Sequence, residues 1–200
     1  MKKIEIQNLT FDYPLLEKAF NNLKNINTPQ KNNIGGKIIF DNKKKYLRAI
    51  DKLNLQINKG DKIALLGHNG SGKTTLLSIL SGIYPVDKSL IKINGSLQSF
   101  VSPHTGIDVE ANCLENLKLI LKLRGSDIEI KDEFIKEALV KIGLGDYIYF
   151  PVKFLSTGMI TRLSLVALEY IEKDILLLDE WISTIDKNFD LSNKKNFLLA

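Results

Sequence analysis

With a single cysteine, Cys113, the chain cannot close an internal disulfide, so its fold must hold without covalent staples. It also lacks any apolar run near the ~18 residues of a membrane span. The longest clean run, "ILLL" at 175–178, suits a buried strand. The opening "MKKIEIQNLTFDYP" alternates like a strand where a signal peptide would need an apolar stretch, so a cytosolic setting is expected. Strong charge of one sign is missing too. The formal +5 comes from lysines scattered among asparagines, and "KKK" at 43–45 is the only run of three. That pattern reads as a solvated surface, with a lipid-facing or partner-facing patch as the competing reading and no nucleic-acid partner expected. There is no internal repeat and no coiled-coil heptad. What remains is 200 residues at 44% hydrophobic content, enough for one sizeable core and at most an appended subdomain.

Periodicity organises the rest. Residues 3–13 are expected as a strand, and "LRAIDKLNLQINKGDKIALLG" at 47–67 as two more, turning at Lys59-Gly60-Asp61. The polar segment 14–46 between them is an insertion. Within it, "LLEKAFNNLKNI" spaces apolar residues on one helical face, which either docks on the domain's own surface or meets a partner. Further along, "TTLLSILSGIYP" predicts a helix stopped by Gly82 and Pro85. Short strands are expected over 90–101, amphipathic helices over 112–124 and 132–142, an apolar helix over 158–173 and a buried strand over 174–179. Strand, loop, helix and later buried strand make an α/β plan with a parallel sheet.

The strongest motif is "GHNGSGKT" at 67–74. It matches Gly-x-x-x-x-Gly-Lys-Thr at every fixed position, follows the apolar "IALL" and opens a helix. Gly67, Gly70 and Gly72 let the backbone curl so that successive N–H groups face phosphate oxygens, and the helix N-terminus adds positive potential. Lys73 supplies a point charge for the β- and γ-phosphates, and the Thr74 hydroxyl is a candidate magnesium ligand. Asn69, Ser71 and Thr75 complete the candidate nucleotide-binding set. "NKGD" at 58–61 resembles a guanine-reading motif but precedes the phosphate loop, and the strand turn already explains it.

Two later stretches fit the same chemistry. "DILLLDE" at 174–180 ends a strand in two carboxylates: Asp179 suits a magnesium-bound water, and Glu180 suits a general base or water-polarising group for ATP hydrolysis. "LSTGM" at 155–159 puts Ser156, Thr157 and Gly158 at the start of an apolar helix. Taken alone, that is a plain helix N-cap. Beside an intact phosphate loop it also reads as a γ-phosphate binder that lacks a lysine because another loop supplies one. A second phosphate-reading loop makes sense if it reaches the nucleotide of a second copy.

The ordered set "GHNGSGKTT", "LSTGM" and "DILLLDEWISTID" resembles the nucleotide-binding domain of ABC transporters. The resemblance implies a P-loop NTPase with a RecA-like core, a small antiparallel β part near the N-terminus and a helical subdomain around 100–160. It makes "LSTGM" the signature loop acting in trans, and places Ser183 and Asp186 in a loop at the interface of a homodimer that sandwiches two Mg-ATP. Tyr13, in "FDYP", falls where the family stacks an aromatic on adenine; a half-buried strand tyrosine is the competing reading. "LLSILSGIYP", "ENL" at 115–117, "PVKFLSTGMITRLSL" and "DEWISTIDKNF" look most like the ATPase subunits that export polysaccharide, O-antigen or teichoic acid. That likeness implies a separate transmembrane permease and a peripheral position on the cytoplasmic face of the plasma membrane. A soluble ABC protein, or an ATP-binding interaction module with little turnover, is the alternative.

The sequence departs from the family in two places. Ser102 falls near the position of the family's sensor glutamine, with Gln98 the only glutamine nearby. The chain also stops fourteen residues after Asp186, before the helix and core strand that deliver a histidine to the γ-phosphate. The domain is therefore expected to be C-terminally truncated, with one flank of "DILLLD" lacking its usual neighbour and hydrolysis slow.

Overall fold

Ile4, Ile6 and Leu9 are all buried, although a strict two-residue alternation would turn Leu9 away from the first two. The computed structural model explains the change of phase. It describes residues 1–15, 36–41, 44–101, 104–123, 131–170, 173–179 and 197–199. Strand β1 (Lys2–Leu15) runs antiparallel to β3 (Lys44–Asn58), pairing Ile4 with Ile57 and Ile6 with Leu55, and the register slips between Ile6 and Leu9. At the slip, Asn8 and Lys52 both adopt left-handed backbone, with φ of 50° and 48°. The Asn54 side chain bridges the two kinks: its oxygen accepts from the Asn8 N–H at 2.8 Å and its amide donates to the Lys52 carbonyl at 3.1 Å. Asparagine at 8 tolerates this geometry better than most residues.

The residues group into two units, 1–96 with 195–200, and 97–194. In the first, β2 (Lys37–Asp41), β3, β1 and β5 (Ile91–Ile93) form an antiparallel sheet in that order. The described ends of the polar 14–46 segment are thus strand: β1 continues to Leu15, and β2 pairs with the start of β3. Leu15, where the amphipathic helix is expected to begin, belongs to β1; the rest of that expectation lies outside the described residues. After the Lys59-Gly60 turn come β4 (Lys62–Ala64) and helix α1 (Lys73–Leu80), which buries Leu76, Leu77, Ile79 and Leu80. Strand β8 (Phe197–Leu199) runs parallel to β4, so the chain does form a short parallel strand after Asp186, which the sequence reading does not foresee.

In the second unit, β6 (Leu97–Phe100) lies parallel to β7 (Ile175–Leu178), and all four residues of β7 are buried. Helices α2 (Cys113–Leu123), α3 (Asp132–Lys141) and α4 (Thr157–Glu169) pack together on Leu117, Ile120, Ile135, Leu139, Leu163 and Leu165. Burying each such side chain contributes roughly 1.5–3 kcal/mol relative to exposure. Helix α3 ends on Gly143 (φ 73°), where the Leu144 N–H donates to the Leu139 carbonyl at 2.8 Å. Arg162 of α4 donates to the Ile142 carbonyl at 2.8 Å, so a cation of α4 sits at the negative end of α3. Among the described residues no helix is long and apolar enough to cross a membrane.

Candidate functional site

The loop between β4 and α1 is shaped by where side chains cannot go. Gly72, the residue before α1, has φ of 94°, and a Cβ there would lie 2.6 Å from the Ala49 carbonyl oxygen. A Cβ on Gly67 would meet the Ser71 hydroxyl at 2.5 Å. Gly70 is also left-handed, with φ of 80°. The Ser71 N–H donates to the His68 carbonyl at 3.1 Å, closing the turn. His68 donates from Nδ1 to the Asn69 carbonyl at 2.9 Å, since that carbonyl can only accept. The Lys73 ammonium folds back over the loop, donating to the carbonyls of Gly67 at 3.1 Å and His68 at 3.5 Å. A backbone cradle with an ammonium across its mouth, at the positive end of a helix, suits a chain of phosphates.

Three rings stand beside this helix start. The hydroxyls of Tyr13 and Thr75 lie 3.0 Å apart, tying the end of β1 to the first turn of α1. Tyr13 is perpendicular to both Phe11 and Tyr84, with ring centroids 5.1 and 5.5 Å away, and Phe11 stacks on Tyr84 at 5.3 Å. Burial pushes the Tyr13 phenol above its ordinary range. Next to it, Asp12 takes a two-pronged grip from Arg48, at 2.9 and 3.0 Å, and that hydrogen-bonded pair holds the Asp12 carboxyl below its ordinary range. The sequence reading does not single out Phe11 or Tyr84; the aromatic in "SGIYP" is the signal that points toward Tyr84.

In the second unit, Ser156 caps α4 with its side-chain oxygen, which accepts from the Met159 N–H at 3.3 Å. Ser156, Thr157 and Gly158 are all exposed, and among the described residues a Cβ on Gly158 would meet nothing within 4 Å. Glycine in a helix costs roughly 1 kcal/mol against alanine, and no packing among the described residues requires it. Asp179 follows β7 and is buried, its N–H donating to the Phe100 carbonyl at 3.3 Å. Thr74 and Asp179 are hard oxygen donors of the kind magnesium takes. Glu180, Ser183, Asp186 and Ser102 lie outside the described residues. Gln98 lies on β6, its amide donating to the Ser99 carbonyl at 3.2 Å.

The loop leading to α2 is organised by the fully buried Asn116 of "ENL". Its oxygen accepts from the Asp108 N–H at 2.7 Å, and its amide donates to the carbonyls of Asp108, Ala111 and Asn112 at 2.8–3.1 Å. Asn112 and Glu115 cap α2 reciprocally, each side chain accepting from the other's backbone N–H. The same loop bonds to the stretch before α4: the Val152 N–H donates to the Ala111 carbonyl and the Lys153 N–H to the Val109 carbonyl.

Comparison with known proteins gives this geometry a context. The family model described as ABC transporter matches residues 50–183. The O-antigen export system ATP-binding protein RfbE of Yersinia enterocolitica is 31% identical over 197 residues, 98% of this chain and 81% of that protein. The teichoic acids export ATP-binding protein TagH of Bacillus anthracis is 28% identical over 94% of this chain but only 32% of its own length. The ATP-binding protein BexA of Haemophilus influenzae is 33% identical over 70% of this chain and 64% of that protein. A solved inward-facing structure of a metal-chelate type ABC transporter superposes with a TM-score of 0.59 at 22% identity, covering 100% of this chain and 73% of the other, a likeness of fold.

Proposed function

Because the chain belongs to the ABC transporter family, we propose that it binds Mg-ATP, pairs with a second copy around two nucleotides, and hydrolyses ATP to drive export of a polysaccharide-type polymer through a separate permease. The polymer class rests on the relatives, whose names refer to O-antigen and teichoic acid export. Its working place is the cytoplasmic face of the plasma membrane, held there by the permease.

The observation that carries the two-copy arrangement is Gly158: a glycine in an exposed first helical turn, with open space around it among the described residues, beside a capping serine. Such a turn offers N–H groups and a helix dipole to an anion approaching from outside its own unit. The loop of one copy would wrap the phosphates, with Asn69, Gly70, Ser71 and Gly72 supplying backbone donors. Lys73 would exchange its two carbonyl partners for phosphate oxygens, and Thr75 would close the helix start. Thr74 and Asp179 would hold magnesium, which when bound neutralises charge building on the phosphate oxygens. Glu180 would orient the attacking water, Ser183 and Asp186 would line the interface, and Ser156, Thr157 and Gly158 of the other copy would close on the γ-phosphate. Catalysis is then mainly positioning and electrostatic stabilisation.

The test is Mg-ATP binding by calorimetry, followed by steady-state hydrolysis with the co-purified membrane partner. The proposal expects saturable binding and turnover that falls sharply in Glu180→Gln with binding retained. Binding without turnover in the presence of the partner would leave an ATP-binding module and contradict the transport reading.

A further inference from the structure

We propose that Tyr84 is a positioning residue for the nucleoside, holding Tyr13 edge-on while the Thr75 hydroxyl fixes the far end of the same ring, so that one face of the cluster is preset for a purine base. The inference rests on the nucleotide reading above and extends it to a residue outside the phosphate loop.

Phosphates seated on the amides at the start of α1 leave the nucleoside to one side of that helix end. Tyr13 is tied to that same end, because its hydroxyl meets Thr75 in the first turn of α1 at 3.0 Å. A lone tyrosine on a strand would pivot about its side-chain torsions. This one cannot do so freely: Phe11 and Tyr84 stack on one another with an interplanar angle of 28°, and Tyr13 stands at 88° to both. Edge-to-face contacts of this kind favour one ring orientation. The strand beneath is fixed as well, since Asp12 is gripped by Arg48 from β3. Tyr84 comes from the segment after α1 and its N–H donates to the Ser78 carbonyl of that helix at 3.4 Å, so the ring that orients the base platform is tied to the helix whose first turn the cradle opens. A fixed ring binds a base without first paying its ordering cost.

The experiment compares two probes on the full chain, Mg-ATP and magnesium tripolyphosphate, which shares the phosphates but has no base. In Tyr84→Leu, ATP affinity should fall about fivefold, in the range of one aromatic pair, while tripolyphosphate affinity stays at the parental value. Tyr84→Phe keeps the ring and loses only the hydroxyl that meets the Tyr13 phenol, so it should restore most of the ATP affinity. Combining Tyr84→Leu with Tyr13→Leu should weaken ATP no further than Tyr13→Leu alone, since both act through one ring. Tyr13→Phe keeps the ring and removes only the hydroxyl, and should cost ATP about twofold to threefold. An unchanged ratio of ATP to tripolyphosphate affinity in Tyr84→Leu would overturn the proposal, as would fully additive losses in the double variant. Equal loss of both probes would make Tyr84 merely structural and overturn it too. If the unmutated chain bound neither probe, the nucleotide reading itself would fail first.

Discussion

Gly72 shows how much a single missing side chain decides. Its φ of 94° and the Ala49 oxygen 2.6 Å from a hypothetical Cβ act against any replacement at once. Gly72→Ala is expected to cost about 1–3 kcal/mol in urea unfolding and to abolish phosphate binding as the loop reopens. Lys73→Ala removes a charge that spans the loop mouth, and Mg-ATP affinity measured by calorimetry should weaken at least tenfold, about 1.4 kcal/mol. A third residue-scale expectation follows from Asp12. Its pKa is depressed by Arg48, so its contribution to stability is complete above the ordinary aspartate value of about 4 and is lost as pH falls through the lower, folded value. Thermal unfolding followed between pH 3 and pH 6 should therefore steepen at the acid end in the parent and flatten in Arg48→Ala. The glycines and Lys73 are legible in the sequence because the loop's geometry is set by near neighbours at fixed spacing. Tyr84 is not, because its partners Phe11 and Tyr13 lie on a distant strand and the aromatic in "SGIYP" does not by itself say what it meets.

Elements follow the same division. Helices α2, α3 and α4 and strand β7 are readable from periodicity, since each buries one continuous face or is buried outright. Strand β2 escapes because "KIIFD" offers only three apolar residues among lysines and asparagines, and it is defined by pairing with β3 rather than by its own pattern. Strand β8 is shorter still and exists through β4. The bulged β1 is legible as a strand, whereas its change of phase depends on Asn54 reaching back from β3. Asn116 governs the loop before α2 through four hydrogen bonds from one buried amide. Asn116→Ala leaves those backbone groups without their partner, so unfolding should show a loss of about 2–4 kcal/mol. Hydrogen exchange should quicken first at residues 108–112, and a loss confined to other parts of the chain would contradict this account of the loop.

At the scale of the molecule, the antiparallel sheet, the parallel pairs and the helical part agree with the fold expected from the motifs, and the family match spans the phosphate loop through Asp179. The chain spans four fifths of RfbE but about a third of the Bacillus anthracis TagH, so whole-protein activities of the latter stay with that protein. The reading stands or falls on whether a site is shared between two copies. The direct measurement is ATP-dependent association by sedimentation, with Glu180→Gln in every chain to slow turnover, for Lys73→Ala alone, Ser156→Arg alone and an equimolar mixture. Each variant alone spoils both shared sites of its homodimer, whereas a mixed dimer joins one intact phosphate loop to one intact signature. The account predicts dimers that retain ATP in the mixture and in neither variant alone. Dimers of Ser156→Arg by itself, as stable with ATP as those of the otherwise unmutated chain, would contradict it.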